Sequence, residues 1–175
     1  MEKKLSNSAG DKMRDIRKLL TAFVVLVIIL ILSSCSIPFI PEVPPSSYSL
    51  EAAVNVLSNK YTLLESGWIN GFGDIQLGDG RFAIFDGVDG FFMLFKYESN
   101  EEAKENWNKI TKKYGNPLKI KYMKVNMGDY GVFTVRLEST DLYAWFKENW
   151  LIVVTGDKIE GFVRDVNEIY NTVKR

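Results

Sequence analysis

An α+β fold, a two-layer sandwich of one antiparallel sheet with helices on one face, is predicted by three features of this 175-residue chain. Three segments repeat apolar residues at helical spacing, near 50–61, 103–114 and 159–173. Between them lie short runs rich in β-branched and aromatic residues, broken by glycine. The later runs are joined by connections too short for anything but antiparallel hairpins.

The elements follow in order. Ser49 can cap a first helix whose buried stripe is Leu50, Ala53, Val54, Leu57 and Tyr61. Strands are expected at 63–69, 81–85 and 91–97, with Asp86-Gly87-Val88-Asp89-Gly90 as the hairpin turn between the last two. Ser99-Asn100-Glu101-Glu102 is a capping box, after which Ala103, Trp107, Ile110 and Tyr114 mark one helical face, closed by Gly115 and Pro117. Strands at 118–125, 131–138, 142–147 and 150–155 form a meander through turns at Gly128-Asp129 and Glu148-Asn149. Asp157 with Glu160 is a second capping box, opening a helix with the stripe Ile159, Phe162, Val163, Val166, Ile169, Tyr170 and Val173. The strands at 91–97 and 118–125 flank a helix and allow one right-handed β-α-β crossover of ferredoxin-like type.

Ahead of this domain the chain reads differently. Arg14, Arg17 and Lys18 precede an apolar run from Leu19 to Leu32, closed by Ser33, Ser34 and Cys35. Such a run covers about 21 Å, short of the ~30 Å hydrocarbon core, and has the charged start, apolar centre and small-residue end of a secretory signal. Met13 offers a second start site directly before that basic cluster. Leu32-Ser33-Ser34-Cys35 resembles the lipobox of bacterial lipoproteins, and the chain is similar to the small α+β lipoproteins of thermophilic bacteria. The resemblance implies cleavage between Ser34 and Cys35 and acylation of Cys35. Two or more acyl chains give stable anchoring where one does not. The basic cluster keeps the start on the cytoplasmic side, so the remainder is expected on the outer face of the cell membrane, or on the outer membrane if the cell has two. The other reading is an uncut anchor helix over 19–40, opposed by Pro38 and Pro41. The division is therefore 1–34 signal peptide, 35–47 acylated cysteine and Pro-rich stalk, and 48–175 a single domain. Four of the five prolines lie at Pro38, Pro41, Pro44 and Pro45, which favours an extended spacer on the order of 35 Å long.

Composition closes several chemistries. There is no histidine, and Cys35 is the single cysteine, so triads, Cys/His zinc sites and haem ligation have no side chains to use. The whole chain carries zero net charge while residues 1–35 hold six basic and three acidic side chains, leaving the rest about three units negative. Nucleic acid is not an expected partner, and Lys109, Lys112 and Lys113 read as the solvated side of a helix. Abundant Lys and Glu beside a single glutamine lean toward a heat-loving source.

Two constellations could carry function. Asp74, Asp79, Asp86 and Asp89 lie among glycines, but their spacing does not match a calcium loop, and Asp-Gly is ordinary turn chemistry. Gly71-Phe72-Gly73 lacks the lysine and helix start of a phosphate cradle. Tyr143, Trp145 and Trp150 lie on the last hairpin: an open aromatic face there would take a protein or glycan, whereas a face capped by a helix would be core. No catalytic residue, metal or cofactor is assigned. The expected function is a membrane-tethered, non-catalytic binding or assembly module of the cell envelope. The alternatives are an envelope hydrolase with an Asp/Glu pair and a purely structural domain on an uncleaved anchor.

Overall fold

The computed structural model describes residues 40–174. Cys35, Ser34 and the apolar run before them lie outside the described residues.

Helix α1 (Leu50–Asn55) starts where Ser49 Oγ accepts from the Ala52 N–H at 3.1 Å, and a 3-10 turn at Val56–Asn59 extends it. Three strands follow, β1 (Leu63–Phe72), β2 (Ile75–Phe85) and β3 (Gly90–Lys96). Beyond the expected end of the first strand at 69, residues 70–74 continue the β1–β2 hairpin around Gly73, whose φ is +60°. Helix α2 (Asn100–Tyr114) begins at Ser99, whose Oγ accepts from Glu102 N–H at 3.2 Å, and ends in lysines that complement its dipole. Then come β4 (Met123–Asn126), β5 (Tyr130–Leu137), β6 (Thr140–Lys147), β7 (Trp150–Gly156) and helix α3 (Glu160–Val173). The second capping box does not form. Ile159 is the N-cap without a side-chain bond, because Asp157 and Glu160 turn toward Arg136 and Lys121 instead.

All seven described strands form one open antiparallel sheet in the order β1-β2-β3-β7-β6-β5-β4. The α+β class therefore holds, while the two-layer arrangement is corrected. Helices α1 and α3 pack over Phe92, Leu94, Trp145, Ile152 and Val154. Helix α2 packs over Met93, Phe95, Ala144, Phe146, Leu151 and Val153 on the opposite face. Adjacent residues of one strand point to opposite faces, so the unbroken apolar runs of β3 and β7 demand cover on both sides. The ferredoxin-like crossover is also corrected. The strands on either side of α2 are β3 and β4, and β7, β6 and β5 lie between them. Strand β4 is shorter than the expected 118–125, because Asn116 turns the chain by accepting from Leu118 N–H with its side chain and from Lys119 N–H with its carbonyl.

The expected stalk is part of the fold. Val43 is fully buried in the core under α1 and α3, with Pro41 and Pro44 buried beside it. Asn167 Oδ1 accepts from Glu42 N–H at 2.6 Å, and the Glu42 carbonyl accepts from Trp145 Nε1–H at 3.0 Å. Lys96 Nζ donates to the carbonyls of Ser46 and Tyr48. The domain boundary thus moves from 48 back to about 41: prolines that keep a free chain extended also let it lie as a strap along an apolar seam.

Candidate functional site

The aromatic hairpin is core. Trp145 and Trp150 are both 0% exposed under α1 and α3, and Tyr143 is half-buried on the same face. An open aromatic surface at these three positions is therefore corrected: the helices and the strap cover that face to exclude water from two indoles. The Tyr143 hydroxyl is pushed up to about 12, first by burial and then by the negative charges of Glu160 and Asp141, so it stays a neutral phenol.

Those carboxylates belong to a polar cluster at the start of α3. Asp141 is 1% exposed. Its Oδ2 receives Lys121 Nζ at 2.8 Å and its Oδ1 lies 3.0 Å from Arg136 Nη1. Lys121 Nζ also reaches Glu160 at 2.6 Å, and Arg136 Nη2 reaches Asp157 at 3.4 Å. Burial alone would raise the Asp141 carboxyl, but hydrogen bonds and charge from Lys121 and Arg136 outweigh it and hold the group below the usual carboxylate range. An ionised carboxylate clamped between two cations has no proton to give as a general acid. What the cluster does is mechanical. Lys121 has φ +56°, a left-handed conformation costing a non-glycine residue about 1 kcal/mol, and its carbonyl accepts from Thr134 Oγ at 3.0 Å. The buried carboxylate holds that strained residue in place.

The four aspartates do not converge, and no group of three or more acidic, His or Cys side chains that could hold a metal forms among the described residues. Asp86 precedes Gly87 at φ +73°, in its turn. Asp74 pairs with Lys113, and with Gln76, Lys109 and Lys112 it lines an open depression beside α2.

The most exposed aromatic side chain among the described residues lies instead on the sheet edge. Trp68 on β1 is 71% exposed, and its register partner Arg81 lies with its guanidinium carbon 5.6 Å from the ring centroid. Arg81 Nε donates to Ser66 Oγ at 2.9 Å, and Ser66 Oγ donates to the Phe82 carbonyl at 2.9 Å, so the cation is oriented from below. Strand β1 is a sheet edge ten residues long with Glu65 as its single charge. Long, weakly charged edges are templates for another chain. The signal for it in the sequence is a lone tryptophan between Gly67 and Ile69, with Asn70 and Gly71 directly after. A second exposed feature is the α2–β4 connection, where Leu118 is 93% and Ile120 74% exposed.

A family model described as "Protein of unknown function (DUF3242)" matches residues 45–173. Among solved structures, the chain is similar to a GTP binding regulator from Thermotoga maritima, 30% identical with a TM-score of 0.62, over 73% of this chain and 91% of that one. No curated protein matches.

Proposed function

The chain belongs to the DUF3242 family, and from that premise we propose that it is a membrane-tethered envelope lipoprotein whose domain is a non-catalytic binding or assembly module. The tether is the acylated Cys35, and the leader is residues 1–34. The observation that carries the binding role is the exposed Trp68 ring with Arg81 held over it on an open edge strand. An aromatic face with an oriented cation takes a sugar ring or an extended peptide, and strand pairing supplies main-chain bonds to the latter. The partner is thus an envelope protein or glycan. GTP binding, ascribed to the Thermotoga relative, is not part of the proposal. This chain has no G-x-x-x-x-G-K-[ST] run, and Lys109, Lys112 and Lys113 line an open depression away from a helix N-terminus.

The strap supports a close tether. From Cys35 to Pro41 the chain reaches at most about 21 Å, so the acyl group would keep the domain near the headgroups instead of lifting it clear of them. Mass spectrometry of membrane-extracted protein tests the anchor: the expected N-terminal residue is a diacylglyceryl Cys35. A free thiol at that position on protein from the cell interior overturns it. Crosslinking followed by pull-down tests the surface. Trp68→Ala is expected to lose the partner recovered with the parent chain, and equal recovery by both would remove the surface from the proposal.

A further inference from the structure

We propose that the α2–β4 connection is a second membrane contact, with Leu118 and Ile120 entering the headgroup boundary of an anionic bilayer while surrounding lysines bind its phosphates. The inference rests on the tethered reading above and concerns how the domain lies on the surface that holds it.

Three observations carry it. Leu118 and Ile120 are the two most exposed large apolar side chains among the described residues, and they alternate with Lys119 on a tip of chain. The tip is rigidly built. Asn116 closes its near end, the Ile120 carbonyl accepts from Arg136 N–H at 2.9 Å, and Lys121 is fastened to Asp141 and Glu160. A clamp with a buried carboxylate holds two apolar side chains out in water, an arrangement with no benefit to the folded core.

The third observation is charge. Residues 109–124 contain six lysines and no acidic residue, in a chain that balances to zero overall. Lys113 faces Asp74 and Lys121 is committed to the cluster, but Lys109, Lys112, Lys119 and Lys124 are in no ion pair among the described residues. Lysines flanking exposed apolar residues are what an interfacial segment presents to anionic lipid. Another protein would supply carboxylates instead, but a tether keeps the domain beside lipid, and its reach of about 21 Å lets the strap, at the Lys147 end of β6, and the tip, at the Asp141 end, lie along that surface together.

The test uses the full chain reconstituted in vesicles of phosphatidylcholine alone or mixed with phosphatidylglycerol. Leu118→Cys is labelled with a polarity-sensitive dye. The parent chain, whose one thiol is Cys35, is labelled in parallel, so failure of the acyl anchor appears as dye on the parent and is read separately from position 118. The expected result is a blue-shifted emission at 118, quenched by lipid-borne quenchers, on the anionic vesicles and not on the neutral ones. A label at Met127, also exposed, stays in water on both. Each lysine near an anionic surface is worth on the order of a fivefold preference, so combining Lys109→Glu, Lys112→Glu and Lys119→Glu should weaken partition onto anionic vesicles by at least about a hundredfold. A label at 118 that remains in water on anionic vesicles overturns the proposal. Shielding that ignores lipid charge and grows with protein density also overturns it, and would identify a second copy of the chain as the occupant.

Discussion

Lys121 places its Nζ 2.8 Å from Oδ2 of Asp141, joining a left-handed loop residue to a carboxylate buried in the sheet. The pair lies where β6 begins and α3 begins, so one buried charge ties a loop, a strand and a helix together.

Removing that charge leaves two cations without their shared partner. Asp141→Asn is expected to cost about 3 kcal/mol, as for breaking other buried pairs, and to lower Tm by roughly 10 °C in thermal denaturation. The pH dependence has a definite sign. Because the folded carboxyl is held below its unfolded value of about 3.9, its contribution is complete above that pH and is lost as pH falls toward the depressed folded value. The gap in Tm between parent and variant should therefore be constant near neutrality and shrink below about pH 4.

Tyr61 donates to Asp165 Oδ2 at 2.5 Å and packs edge-on against Phe162. Burial first, then the hydrogen bond to Asp165 and its charge, push the phenol up to about 12. A raised tyrosine contributes stability fully below its unfolded value of about 10 and loses it as pH rises through the folded one. Ultraviolet titration of parent and Tyr61→Phe should assign one late-ionising tyrosine to this position, and Asp165→Asn should bring that step back toward 10.

The strap gives a proteolytic prediction. Val43→Ala removes methyl groups from a fully buried site and should cost about 2 kcal/mol, counting the cavity left behind. Loss of that docking should expose residues 41–48, and limited proteolysis should cut there faster in the variant while leaving the sheet intact. Equal cutting rates would show that the backbone bonds at Glu42 hold the strap without Val43.

Gly156 faces Gly90 across β3 and β7, and a Cβ at Gly156 would fall 2.2 Å from the Asp89 carbonyl oxygen and 2.5 Å from the Gly90 Cα. Neither neighbour is a flexible side-chain tip. Gly156→Ala should destabilise by about 2–3 kcal/mol, read as a shift in the denaturation midpoint with unchanged m-value.

Much of the fold was legible from local pattern. The three helices, all seven strands and the Ser49 and Ser99 caps follow from periodicity and capping chemistry, which act within a few residues. The misreadings share one cause. Whether the second face of β3 and β7 meets water or a helix is not written in either strand, so the layer of α2 and the choice between surface and core for Trp145 and Trp150 are settled only by packing. The Asp157–Glu160 box failed because Arg136 and Lys121, distant in sequence, compete for both carboxylates. In local pattern Trp68 is one more strand aromatic, and only the sheet order places β1 on the edge.

By itself the sequence determined which segments become helix or strand, which chemistries lack side chains, and the signal-like pattern ending at Cys35. Tertiary structure decided which faces are covered, that residues 41–48 are a strap, and that Trp68, Leu118 and Ile120 are left uncovered by the rest of the fold. The physical reason is range. Backbone periodicity and capping are settled by neighbours along the chain, whereas exposure depends on which distant element packs across a given face.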